Sequence, residues 1–213
     1  MPCEGNGSIP VILLAGGTDP HTVWDDLVDA LGSDVLTCRF NPPGIGPSDA
    51  PSSPTSASER ADVLAQTLNA AGLNQPVVLV AHSLGGQTAR QFGARHPDML
   101  AGAVLLDPTT RLAMRSLHEN LAADGWQADV AIDEAEAQVT WPDVPLVVLS
   151  HDPTRGDLGA PAIEQLWSEG QAEYTVLSPR AHHEVVAGSG HYVYVDAPAA
   201  VVGAITEMLD DLG

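Results

Sequence analysis

Apolar residues fall along this chain in short unbroken runs rather than in strict alternation with polar ones. Pro10-Val11-Ile12-Leu13-Leu14 ends in Ala15-Gly16-Gly17, and four more runs follow: Val35 to Phe40, Val77 to Val80, Ala103 to Leu106 and Leu146 to Leu149. A weaker one covers Glu184 to Ala187. Continuous apolar runs bounded by turn residues predict strands buried on both faces, as in a parallel sheet. Between them the spacing becomes helical. Ser56-Ala57-Ser58-Glu59 fits a capping box, and Ala61, Leu64, Leu68 and Ala71 then recur before Gly72. Leu84 to Arg95 predicts a second helix, stopped by His96-Pro97, and Val201, Ile205, Met208 and Leu212 mark one face of a C-terminal helix. This alternation predicts an α/β fold, a three-layer α/β/α sandwich around a mostly or fully parallel sheet of about six strands.

Two stretches depart from the pattern. Residues 108–142, mixed helical and polar with Trp126 and Trp141, separate two predicted strands and are too long for an ordinary connection, so a small helical lid is expected there. Pro47 to Ser58 is rich in Ser and Pro and reads as a loop. Residues 1–213 are otherwise expected to form a single domain. The lead-in CEGNGS reads as flexible.

The candidate chemistry sits where predicted strands end. Ser83, in Ala81-His82-Ser83-Leu84-Gly85-Gly86, lies between a predicted strand and a predicted helix. That is the context of a nucleophile elbow, G-x-S-x-G, with Ala81 in place of the first glycine. No G-K-[ST] follows, which argues against a phosphate loop. A serine hydroxyl needs a neighbouring imidazole to take its proton. Of the eight histidines, His191 is the best base, in the glycine-rich loop after the last predicted strand. His82 reads as a packed or loop-contact residue. His182-His183-Glu184 enters a strand, where adjacent side chains face opposite ways, so a shared metal is not expected.

Four segments in order resemble the α/β-hydrolase family: the Ser83 elbow, Leu14-Ala15-Gly16-Gly17 with Trp24 beyond, Phe40 to Ser48 (FNPPGIGPS, against the family's D-x-P-G-x-G-x-S), and Gly188-Ser189-Gly190-His191-Tyr192 before Asp196-Ala197-Pro198. The resemblance covers most of the chain. It implies a serine esterase- or lipase-like hydrolase with Ser83 as nucleophile and His191 as base, and oxyanion donors at Gly17 and Leu84. For the triad acid two aspartates compete. Asp107 ends the Ala103 to Leu106 run, and Asp152 follows the Leu146 run, which supplies the acid in most members; aligning that strand puts the usual acid near Thr154. Asp107 is preferred, with Asp152 as the alternative. His21, Trp126, Trp141, His151 and Tyr192 are candidate pocket residues. The family's usual two strands before the Val11 strand are missing, which leaves a sheet edge to be covered.

Composition narrows the partners. Against 28 Asp and Glu stand 8 Lys and Arg, all arginine, for a net charge of −20. Such a chain repels nucleic-acid phosphates and anionic membranes. Cys3 and Cys38 form no metal-ligand pattern and make no disulfide framework. No leader and no membrane span is visible, so a cytoplasmic protein is expected, a monomer or homodimer acting on a small ester-like molecule with neither metal nor organic cofactor. The same residues could serve perhydrolysis or acyl transfer, a slow-turnover ligand-binding signalling protein, or an inactive scaffold.

Overall fold

A computed structural model describes residues 1–17, 19–52, 55–113 and 139–213. The strands are β1 (Cys3–Glu4), β2 (Val11–Leu14), β3 (Thr37–Phe40), β4 (Val77–His82), β5 (Leu100–Leu106), β6 (Leu146–Ser150) and β7 (Ala181–Val185). They form one sheet in the order β1-β3-β2-β4-β5-β6-β7. β2 to β7 are parallel, and β1 adds antiparallel to β3. The α-helices that lie wholly within the described residues are α1 (Asp25–Leu31), α2 (Ala57–Ala70), α3 (Gly85–Arg95), α4 (Pro161–Gly170), α5 (Ala172–Thr175), α6 (Val193–Asp196) and α7 (Pro198–Leu212). The expected α/β sandwich with a mostly parallel sheet is present.

Its core has two layers because both sheet faces are covered. From β2, Ile12 and Leu14 point to one side and Val11 and Leu13 to the other. The first face packs on Leu64 and Leu68 of α2 and Phe92 of α3; the second packs on Leu27 of α1 and Val201, Ile205 and Met208 of α7. This period-2 division is what a run of branched apolar residues does in a doubly covered strand. The capping box of α2 forms in both halves, with Glu59 N–H donating to Ser56 Oγ at 3.0 Å and Ser56 N–H to Glu59 Oε2 at 2.8 Å.

The N-terminal lead-in differs from expectation. Cys3 lies opposite Cys38 across the β1–β3 ladder and the two are joined in a disulfide. A lone pair of thiols 35 residues apart carries no spacing signal; antiparallel register brings them together. The pairing also covers the edge of β3. Closing a loop of this length removes unfolded-state entropy worth about 4 kcal/mol. The double variant Cys3→Ser/Cys38→Ser is therefore expected to unfold about 10 °C lower in a thermal scan; an unchanged midpoint would show that the edge strand is held without the bond.

Candidate active site

Parallel strands deliver their C-terminal ends to one edge of the sheet, and β4, β5 and β6 bring Ser83, Asp107 and His151 there side by side. Ser83 and Asp107 each follow a strand directly and are the two non-glycine residues with positive φ among the described ones, at 51° and 44°. Left-handed backbone turns the chain sharply out of the strand. Ladder bonds hold both bends: Ser83 N–H donates to Leu106 O at 3.1 Å and Asp107 N–H to Leu149 O at 2.7 Å.

The elbow is tight. A Cβ on Gly85 would lie 2.6 Å from Leu14 O, and one on Gly86 would lie 2.5 Å from Pro108 Cβ. Ala81, by contrast, is fully buried among core side chains, so its methyl has a place. Gly16 of the β2 loop passes against the serine, since a Cβ there would lie 2.6 Å from Ser83 Cβ and 2.9 Å from His82 Nδ1. Gly16→Ala must push that loop off the elbow. We expect kcat/KM on a p-nitrophenyl ester to fall about 100-fold with the fold retained by circular dichroism; full activity would mean the loop's position is immaterial.

His191 Nε2 stands 3.1 Å from Ser83 Oγ, and its Nδ1 stands 2.5 Å from Asp107 Oδ2. An ionised carboxylate only accepts, so Nδ1 carries the hydrogen and Nε2 is left to accept from the serine hydroxyl. Burial pushes the Asp107 carboxyl upward, but hydrogen bonds from His151 and His191 and the charge of both rings outweigh it and hold the group below its ordinary value. The aspartate is fully buried and ionised.

Asp152 lies elsewhere. It accepts from Thr154 Oγ1 at 2.6 Å and from Gly188 N–H at 2.9 Å, and these bonds, with one from Thr154 N–H, bring its pKa down to about 2. It clamps the histidine loop rather than facing the ring. Arg155 reinforces the clamp, reaching Gly188 O at 2.9 Å and Asp196 Oδ2 at 3.0 Å. From beneath, His82 Nε2–H donates to His191 O at 3.0 Å. Burial and the nearby His191 charge push His82 down to about 4, so it is neutral at pH 7.

The sequence of the chain alone did not single out Thr109 or Trp167. Thr109 Oγ1 lies 3.2 Å from Ser83 Oγ, while its carbonyl accepts from Gln87 Nε2 and from Tyr174 Oη at 2.7 Å. Trp167 of α4 packs edge-on to His191 with ring centres 5.2 Å apart. No local pattern marks either residue, because each reaches the site through contacts between distant segments.

Of the candidate pocket residues, Tyr192 is 45% exposed, its ring 5.5 Å from that of His191. His21 is held by Asn41, which accepts from His21 N–H and faces His21 Nδ1, both at 2.9 Å. Trp141 is buried in the helix layer, where it lies over Gly93 and donates its indole N–H to Arg90 O at 2.7 Å. His151 is buried beside Asp107. Trp126 and most of the expected lid lie outside the described residues. Among the described residues no group of three or more His, Cys, Asp or Glu is placed to hold a metal, and no helix is long and apolar enough to cross a membrane.

The sequence pattern of the alpha/beta hydrolase fold matches residues 9–136. The chain belongs to the α/β-hydrolase family. It is 29% identical over 191 residues to Lipase LipV of Mycobacterium tuberculosis (strain ATCC 25618 / H37Rv), covering 82% of this chain and 71% of that one. A further match, 37% identical over 83 residues, is to an uncharacterized Schizosaccharomyces pombe protein, of which it spans only 16%. A thermophilic esterase from Thermogutta terrifontis superposes with a TM-score of 0.72 at 21% identity, over 99% of this chain and 92% of that one, which shows the shared fold. In this α/β hydrolase the turn between β4 and α3 carries Ser83.

Proposed function

We propose that this chain is a serine hydrolase cleaving a small carboxylic ester, thioester or lactone through an acyl-enzyme on Ser83. The observation that carries the reading is the hydrogen-bonded line from Ser83 Oγ through His191 to the buried Asp107 carboxylate, with spans of 3.1 and 2.5 Å. As Ser83 Oγ bonds to the carbonyl carbon, its proton passes to His191 Nε2, and Asp107 stabilises the imidazolium that forms. Main-chain N–H groups of Gly17 and Leu84 receive the oxyanion; Leu84 directly precedes α3, whose helix dipole favours negative charge there. His191 then gives the proton to the leaving alcohol or thiol. Water repeats the sequence on the acyl-enzyme, releasing the acid and restoring Ser83. With Ser83 donating to His191, the Thr109 hydroxyl is free to donate to Ser83 Oγ and hold it in line. No metal or organic cofactor enters any step, and the partner is a small, mainly apolar ester-like molecule.

A fluorophosphonate probe tests this reading. It should form a single adduct that maps by peptide mass spectrometry to Ser83. An unlabelled protein, or an adduct elsewhere, would discard the nucleophile. Product analysis over p-nitrophenyl esters of rising chain length, lactones and thioesters, with and without added alcohol or peroxide, then separates hydrolysis from acyl transfer and perhydrolysis.

A further inference from the structure

The Asp107 carboxylate serves two histidines. Oδ2 faces His191, while Oδ1 accepts from His151 N–H at 3.2 Å and stands 2.8 Å from His151 Nδ1. On its other side His151 Nε2 stands 2.7 Å from Glu164 Oε2, and Glu164 is itself fixed by Leu158 N–H at 2.7 Å. Glu164 and Trp167 lie three apart on α4, so one helix face supports both histidine rings. A buried ring between two carboxylates could be a mere packing solution, yet this one touches the same carboxylate that the proposed base uses.

We propose that His151 and Glu164 are positioning residues for the proposed Ser83 hydrolase: through Asp107 Oδ1 they fix the orientation and the field of the carboxylate that serves His191. The inference rests on the reading of Ser83, His191 and Asp107 given above. Both carboxylates only accept, so both ring nitrogens of His151 carry hydrogen and the ring is a cation. Burial alone would push it down, but the hydrogen bonds and charges of Asp107 and Glu164 raise it to about 9. The titratable groups around it are Asp107 from the end of β5, Glu164 from α4, Asp152 next in the chain and His191 beyond Asp107, with His183 of β7 bonded to the neighbouring Ser150 Oγ. A cation on the far side of Asp107 offsets part of the negative potential that raises the basicity of His191. Loss of that cation is therefore expected to make His191 easier to protonate and less able to accept from serine.

The test compares wild type with His151→Asn, whose amide can still donate to Asp107 but carries no charge, and with Glu164→Gln, which keeps an acceptor and removes the far anion. In histidine-selective 15N NMR of the resting protein, His151 should stay doubly protonated in the wild type up to about pH 9. The His191 titration midpoint should rise by about one pH unit in His151→Asn, where the cation is lost, and fall slightly in Glu164→Gln, where the far anion is lost while His151 keeps its charge beside Asp107. The acidic limb of kcat/KM on a p-nitrophenyl ester should move with it, kcat falling about tenfold and KM changing less than twofold. Equal His191 midpoints in all three proteins overturn the proposal, as does a neutral His151 at pH 7. If His191 shifts as expected but Ser83 resists fluorophosphonate in the wild type, the hydrolase reading fails and the electrostatic coupling stands. Should His151→Asn not fold, Glu164→Gln carries the comparison alone.

Discussion

Replacing Ser83 with alanine is expected to lower kcat on a p-nitrophenyl ester by a factor on the order of 10⁴ to 10⁶, leaving substrate binding nearly intact. The expectation follows from the site's geometry. Ser83 Oγ is the atom that His191 Nε2 faces, and no other described hydroxyl but Thr109 lies beside it. Thr109 is not expected to substitute: the bond recorded for its hydroxyl is to Ser83 Oγ, at 3.2 Å, and Gln87 and Tyr174 hold its backbone through the carbonyl. The alanine keeps the elbow's backbone, so circular dichroism and thermal midpoint should stay near wild type. Stopped turnover with an unchanged fold assigns the loss to the missing oxygen; residual turnover within tenfold of wild type would place the chemistry elsewhere.

Asp107→Asn should cost about 10⁴ in kcat. The asparagine must face hydrogen donors on both sides, His191 Nδ1 and the two N–H groups of His151, with one carbonyl oxygen. If its amide NH₂ turns to His191, Nδ1 must accept and Nε2 carries the hydrogen, which leaves no lone pair for the serine proton. If it turns to His151, a cation loses its nearest anion in a buried place. Either arrangement damages the line to Ser83. Asp152→Asn is the control, since Asp152 holds Gly188 and Thr154 without touching His191; loop clamping should cost no more than about tenfold. A reversal of these two effects would transfer the acid's role to Asp152.

Much of this architecture can be read in one dimension. Unbroken apolar runs locate the inner strands because each is covered on both faces, and helical spacing locates α2, α3 and α7. The ends of β7 slip by a few residues, from Glu184–Ala187 as expected to Ala181–Val185, because an edge strand is half exposed and carries His182, His183 and Glu184 instead of an apolar run. The elbow and the histidine loop are local, so turn residues betray them. Contacts that close across the sheet are not. Strand position alone ranks Asp107 and Asp152 nearly level, and only the three-dimensional path of the 188–191 loop sets Nδ1 against one of them. In the sequence His151 reads only as a candidate pocket residue, because its two carboxylates lie 44 and 13 residues away. The Cys3–Cys38 pairing is hidden for the same reason.

The bends at Ser83 and Asp107 also bear on how this protein would respond to selection. Each keeps a side-chain-bearing residue in the left-handed region, at a cost of about 1–2 kcal/mol that glycine would not incur. At position 83 the relieved variant would still meet the space limits of the elbow, and it would be sturdier but would lack the hydroxyl of the proposed nucleophile. A library sorted for heat resistance alone is therefore expected to enrich glycine at position 83, where the proposed nucleophile stands. Any route to a hardier version must be scored on turnover from its first round, with position 83 held fixed.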